Sequence, residues 1–161
     1  MKATEKKALP WLWLSFFIIM VDQWTKYLAV HHLVFAHPIK IFPWLNLTLN
    51  CNTGAAFSFL NTEGGWQVYF FALISLVVSI FLTVWLGRIQ RSDKWGSIGL
   101  SLIVGGALGN FIDRVRLGYV IDFIDFHIKN WHYATFNAAD SAIFMAALLL
   151  IIAILFTPRP S

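Results

Sequence analysis

Four long apolar stretches, 11–30, 68–86, 96–112 and 139–156, alternate along the chain with segments that mix apolar and polar residues. Crossing a hydrocarbon layer of about 30 Å takes about 20 helical residues, so each stretch reads as a transmembrane helix. The first follows Lys2, Lys6 and Lys7 as a signal peptide would. No small-x-small cleavage site follows it, however, and Asp22 and Lys26 interrupt it, so it is expected to be retained.

The segments between the helices are amphipathic rather than polar. Ile39-Lys40-Ile41-Phe42 and Leu45-Asn46-Leu47-Thr48-Leu49-Asn50 alternate with a period of two, which predicts short strands split at Pro43-Trp44. In 113–137, Asp122 and Asp125 lie three apart among apolar neighbours, a spacing that predicts a half-buried surface helix or a loop with both acids near one face. Gly99, Gly105, Gly106, Ala107 and Gly109 allow close backbone approach and place the third helix at the bundle centre. The expected fold is an all-α membrane protein: four transmembrane helices, a small extracytoplasmic β-sheet and a short amphipathic surface helix or loop. No repeat or linker divides the chain, so residues 1–161 are expected to form one domain.

Composition agrees with this pattern. The 161 residues are 58% hydrophobic and only 12% charged, with mean hydropathy +0.68, which excludes an ordinary soluble domain. Lys2, Lys6, Lys7, Arg88, Arg91, Lys94 and Arg159 fall on one side of the predicted helices, and Lys26, Lys40, Arg114, Arg116 and Lys129 on the other. The excess places both termini in the cytoplasm. Trp11, Trp13, Trp44, Trp66, Trp85, Trp95 and Trp131 stand near the predicted boundaries, as interfacial anchors do. The net charge of +4 fits topology and contact with anionic membrane lipids, and no basic stripe with interleaved aromatics supports nucleic-acid binding.

Five of the eight acidic residues, Asp22, Asp113, Asp122, Asp125 and Asp140, lie within or at the edges of apolar segments. Ionisable groups at membrane depth pair, line a polar cavity or do chemistry. Asp22 is expected to pair with Lys26 four residues on, both reaching toward the outer face. Asp113 is expected to form a scaffold with Asn110, Arg114 and Arg116, and Asp125 to occupy the solvated side of a surface helix. Asp140 opens an apolar helix and has a dull reading as a first-turn acid. Together with Asp122 it offers the two-carboxylate arrangement of aspartic proteases. Cys51 is the single cysteine and has no base nearby in sequence; the five histidines show no zinc-ligand spacing; Ser58, Ser101 and Ser141 lack a nucleophile elbow.

These residues carry a resemblance over nearly the whole chain. Asp22-Gln23-x-Thr25-Lys26, Asn52-x-Gly54-Ala55-Ala56-Phe57-Ser58, Gly105-Gly106-Ala107-Leu108-Gly109-Asn110-x-x-Asp113-Arg114, Val120-x-Asp122-Phe123 and Phe136-Asn137-x-Ala139-Asp140 follow one another as in the lipoprotein signal peptidase (signal peptidase II) family, which the chain resembles. The resemblance implies a bacterial inner-membrane aspartic endopeptidase that cleaves diacylglyceryl-modified prolipoproteins on the N-terminal side of the lipidated cysteine. It implies that Asp122 and Asp140 are the catalytic pair, that Asn52, Gly54, Asn110, Arg114 and Asn137 line or brace the pocket, and that Asp22, with Lys26 in its block, and Asp113 support it.

Two close carboxylates share a proton, so one serves as base toward water and the other as acid toward the scissile carbonyl, with no metal or organic cofactor. Asn137 and Asn110 are candidates for orienting a carboxylate or holding the substrate backbone, Arg114 for holding a carbonyl or lipid oxygen, and Phe57, Phe59, Leu60, Phe123, Ile124 and Phe126 for clamping over the substrate. Two other classes fit aspartates in a membrane: a small transporter or proton channel, which needs a polar path to both faces, and a lipoprotein-binding adaptor, which would tolerate loss of one carboxylate. The polar residues gather toward one end and 68–86 contains no ionisable group, which favours a one-sided enzyme.

Overall fold

A computed structural model describes residues 7–54, 65–129 and 131–156. After a 3₁₀ turn at Leu9–Trp11 come four long helices: α1 (Leu12–His32), α2 (Trp66–Leu86), α3 (Lys94–Leu117) and α4 (Ala138–Phe156). Each coincides with one of the predicted apolar stretches, α3 continuing past it at both ends. Helices α2, α3 and α4 are long and apolar enough to cross a membrane. Helix α1 matches α2 in length, 21 residues each, but Asp22, Gln23, Lys26 and the terminal His31 and His32 make it more polar.

The third helix is central, as its small residues predict: α3 packs against α1, α2 and α4, and α1 also meets α4. A β-carbon on Gly105 would stand 2.8 Å from Ile18 Cβ and 2.9 Å from Ser15 O. One on Gly106 would run into the carbonyl of Ala139, and one on Gly109 would lie 2.6 Å from a carboxylate oxygen of Asp22. Glycine therefore draws α1 and α4 onto α3 where the charged residues lie. Large side chains such as Tyr69, Phe144 and Phe156 remain exposed on the outer helix faces, which suits contact with lipid.

The sheet packs at the end of the bundle where α1 and α3 finish and α4 begins. Its strands β1 (Ile39–Phe42), β2 (Leu45–Asn52), β3 (Val120–Ile128) and β4 (Trp131–His132) are antiparallel and ordered β1-β2-β3-β4. The predicted hairpin with its Pro43-Trp44 turn is present. The surface helix expected around Asp122 and Asp125 is not: that segment is the interior strand β3. Val120, Ile121, Phe123, Ile124 and Phe126 are β-branched or aromatic and pack well on a pleated surface, and β2 supplies a ladder partner along most of their length. As neighbours three apart on a strand, Asp122 and Asp125 point to opposite faces instead of sharing one.

Strand β2 follows this change of face. Its register shifts between Leu47 and Asn50, where three steps along β2 match two along β3. Asn46 and Thr48 can then donate to Asp125 while Asn52 donates to Asp122. Apolar packing divides into two clusters, one around Leu82, Leu86, Leu100 and Val104 and another around Ala29, Ile121 and Phe123. At the opposite end of the bundle Lys7 Nζ donates to Arg88 O (3.3 Å) and Ala8 N to Ile89 O (3.3 Å), tying the start of the described chain to the α2–α3 turn.

Candidate functional site

The N-terminus of α4 organises the site. Asn137 occupies the N-cap: its Oδ1 accepts from Asp140 N (3.0 Å), and Asp140 Oδ2 accepts from Asn137 N (3.2 Å). This is a capping box with aspartate at its third helical position. The dull reading of Asp140 as a first-turn acid is therefore correct as far as it goes. With Oδ1 committed to the cap, the Asn137 amide must turn its Nδ2 away from the helix, where it donates to Asp122 Oδ1 (2.7 Å), Ile121 O (3.2 Å) and Asn110 Oδ1 (3.1 Å). One asparagine thus bridges Asp122 and Asp140.

Each carboxylate has a second amide partner. Asn110 Nδ2 donates to Asp140 Oδ1 (2.8 Å), and Asn52 Nδ2 to Asp122 Oδ2 (3.0 Å). Asp122 is 2% exposed. Burial first, and then the neighbouring Asp140 carboxylate, push its carboxyl up from 3.8 to about 7 against the opposing bonds from Asn52 and Asn137. Both asparagines bond carboxylates, Asn137 to Asp122 and Asn110 to Asp140 and not Asp113.

Behind the pair lies a buried ionic cluster. Lys26 Nζ reaches Asp22 Oδ2 (2.8 Å), Asp113 Oδ2 (2.8 Å) and Asn110 Oδ1 (3.0 Å). Asp22 Oδ1 accepts from Ala139 N (3.0 Å), and Asp113 accepts from Gln23 Nε2 (2.9 Å) and Ile121 N (3.2 Å). The Asp22–Lys26 pair is present, but neither side chain reaches toward solvent: they are 0% and 2% exposed, because the glycine face of α3 closes over them. Asp113 likewise pairs with Lys26 and not with Arg114 or Arg116. Gln23 and Ile121 N are partners that no local spacing could reveal.

Arg114 Nη2 donates to Gly54 O (3.2 Å) and Nη1 to Asn110 O (3.4 Å), and its guanidinium lies over the Phe71 ring at 5.6 Å. Its buried Nε has no partner among the described residues. Gly54 N donates to Asn52 Oδ1 (2.9 Å), which turns Nδ2 of Asn52 toward Asp122. Of the proposed clamp, Phe57, Phe59 and Leu60 lie outside the described residues, as do residues 55–58 of the second motif. Phe123 does not fit the role, being buried in the sheet-side core, whereas Phe126 is part-exposed against Trp44.

Asp125 belongs to a separate arrangement. It accepts from His132 Nδ1 (2.8 and 3.0 Å), Asn46 (3.0 Å) and Thr48 (3.4 Å). Burial pushes its carboxyl up, but the bonds from His132 and Asn46 prevail and hold it below the ordinary carboxylate range. It is 5% exposed, not the solvated acid expected. Burial pushes the Cys51 thiol up, the wrong direction for a nucleophile.

Comparison with known proteins agrees with this geometry. Residues 14–156 match the family model for signal peptidase (SPase) II. A lipoprotein signal peptidase of Coxiella burnetii (strain Dugway 5J108-111) is 67% identical over 154 residues, covering 96% of this chain and 94% of the relative. One from Acinetobacter baumannii (strain ATCC 17978) is 49% identical over 151 residues, covering 94% and 86%. Two solved bacterial membrane enzymes superimpose with TM-scores of 0.82 at 31% identity, covering 98% of both chains, and 0.79 at 33% identity, covering 92% and 94%. Carboxylates paired through one helix cap, on a fold shared with membrane enzymes, thus sit in a chain that belongs to the signal peptidase II family and is a peptidase.

Proposed function

We propose that the protein removes the signal peptide from diacylglyceryl-modified prolipoproteins, cutting on the N-terminal side of the lipidated cysteine by a two-aspartate, water-activating mechanism. The observation that carries the mechanism is the Asn137 bridge, which brings Asp122 and Asp140 to one amide while Asp122 is held near 7. Such a pair keeps one proton at neutral pH. Asp140, at the positive end of a 19-residue helix and bonded to two N–H donors, is the ionised base. Asp122 is the acid.

Asp140 takes a proton from a water lying between the two, the resulting hydroxide attacks the scissile carbonyl, and Asp122 donates to the carbonyl oxygen. The adduct is then a gem-diol: its collapse expels the amine, which takes up the proton held by Asp140, while one hydroxyl returns its proton to Asp122 as the carbonyl re-forms. Arg114 holds a substrate oxygen through Nε, a reading supported by that atom's lack of a partner among the described residues. Asn52, Gly54, Asn110 and Asn137 shape the pocket, and Asp22, Lys26 and Asp113 support it.

In this reading residues 1–161 form one integral membrane unit of the bacterial inner membrane. Helix α1 is the fourth span, its ionic residues being satisfied inside the bundle and so hidden from lipid. The basic end with Lys7, Arg88, Arg91 and Lys94 is cytoplasmic, both termini lie there, and the site opens at the extracytoplasmic face. The diacylglyceryl chains enter sideways from the bilayer, each buried methylene contributing about 0.8 kcal/mol. The test is cleavage of a purified diacylglyceryl prolipopeptide in detergent by the unaltered chain, Asp122→Asn and Asp140→Asn. Loss of cleavage in both variants, with folding and substrate binding kept, supports the pair; turnover by either at the unaltered rate sinks it.

A further inference from the structure

Lys26 is a buried cation that the proposed reaction does not use. Its ammonium carries three protons, and Asp22, Asp113 and Asn110 accept all three at 2.8–3.0 Å, so none is free for substrate. Two of these contacts are ion pairs that a structural role would explain. The third is not needed for charge balance, because two carboxylates already face one ammonium.

The third contact helps to decide which way the Asn110 carboxamide points, together with the bond from Asn137 Nδ2 to the same oxygen (3.1 Å). An amide group beside an ammonium must present its oxygen, since its NH₂ would place donor against donor. With Oδ1 held by Lys26, Nδ2 is directed at Asp140 Oδ1 (2.8 Å). Turned over, Asn110 would present an oxygen to Asp140, an arrangement that only a protonated Asp140 could satisfy. The charged groups facing Asp140 are Lys26 from α1, Arg114 from α3 and Asp122 from β3, and among them Lys26 alone touches Asn110 Oδ1, which also accepts from the neutral Asn137 amide (3.1 Å).

Resting on the two-aspartate reading, we infer that Lys26 is a positioning residue for catalysis: by fixing the Asn110 amide it keeps Asp140 the ionised member of the pair. Asn137 has its own fixing device, the α4 cap. The two amides that serve the carboxylates are joined as well, since Asn137 Nδ2 donates to Asn110 Oδ1 (3.1 Å), so the helix cap and the ammonium hold Asn110 together.

The experiment measures kcat and KM against pH for cleavage of a diacylglyceryl prolipopeptide, with thermal melts, for Lys26→Met, Asp22→Asn and Asp22→Asn/Lys26→Met. Asp22→Asn keeps the oxygen that accepts from Ala139 N and breaks the same ion pair while leaving Asn110 held. The double variant removes Lys26 with one of its two carboxylate partners, which keeps the net charge of the cluster and is tolerated better than loss of the ammonium alone. Expected for both Lys26 variants is a kcat lower by roughly 10- to 100-fold, the usual effect of an orienting partner, with KM within about two-fold. Their acid limb of kcat/KM moves about one unit to higher pH, whereas that of Asp22→Asn stays in place. If all three variants melt lower yet share the unaltered acid limb, Lys26 is purely structural and the inference falls. Asp140→Asn in the same assay separates the layers: activity there removes the two-aspartate reading itself, while inactivity with an unmoved limb in the Lys26 variants removes only the role of Lys26.

Discussion

The two faces of strand β3 hold two aspartates, three residues apart, that have almost everything in common except what faces them. Asp122 and Asp125 are 2% and 5% exposed, and each accepts an amide bond of 3.0 Å from an asparagine of β2. Asp122 looks across the Asn137 cap at another carboxylate and is pushed up to about 7. Asp125 looks at the His132 imidazole and is held low. Burial sets the cost of charge, and the facing group decides whether that cost makes a shared proton or a fixed anion.

The contrast is broken most severely by removing each carboxylate in turn. Asp122→Asn is expected to lower kcat/KM for a lipopeptide by at least about a thousand-fold, within the range of positioned acid–base groups, and Asp125→Asn by no more than about two-fold in the same assay. Comparable losses would erase the distinction. Next in size is Gly106→Ala, whose β-carbon would meet Ala139 O and Ile143 at the start of α4. Overpacking of this kind costs roughly 1–3 kcal/mol. It should lower the melting temperature and reduce cleavage while leaving the bond between His132 and Asp125 intact, as read from the imidazole resonances.

Stability against pH sharpens the comparison because the two signs oppose. The Asp122 carboxyl titrates higher folded than unfolded, so its contribution is complete below 3.8 and fades as pH rises to about 7. Asp122→Asn should therefore melt higher than the unaltered chain at about pH 8 and show little gain at about pH 4. Asp125 titrates lower folded than unfolded, so its contribution is present above the ordinary carboxylate range and is lost as pH falls through the folded value. Asp125→Asn should melt lower at about pH 8, with the deficit shrinking in acid. Like signs in the two melting series would refute the opposition. The smallest effect is expected of His132→Gln, since the imidazole side chain is 51% exposed. It should cost less than about 1 kcal/mol in a melt and leave kcat unchanged.

Helix positions, the Pro43-Trp44 hairpin and the centrality of α3 are legible in the chain because periodicity and small residues are local properties. The β3 segment is misread because the three-residue spacing of Asp122 and Asp125 imitates a helix face, although the Val, Ile and Phe between and beside them argue for a strand. The site is legible as a set of residues and not as a set of bonds. Lys26 meets Asp113 across 87 positions, and Gln23 meets it across 90, distances over which spacing carries no information. The Asn137–Asp140 cap is the exception, since Asn-x-x-Asp before an apolar run is a local signal that also predicts how Asp140 is held.

The reciprocal cap has a consequence for biosynthesis. Of the residues brought together at the site, Asn137 and Asp140 leave the ribosome last, and their mutual bonds exist only once the first turn of α4 has formed. On the two-aspartate reading, a nascent chain that has inserted its earlier helices holds Asp122 without its counterpart and cannot yet cleave. On that reading, seating the last helix is what completes the pair.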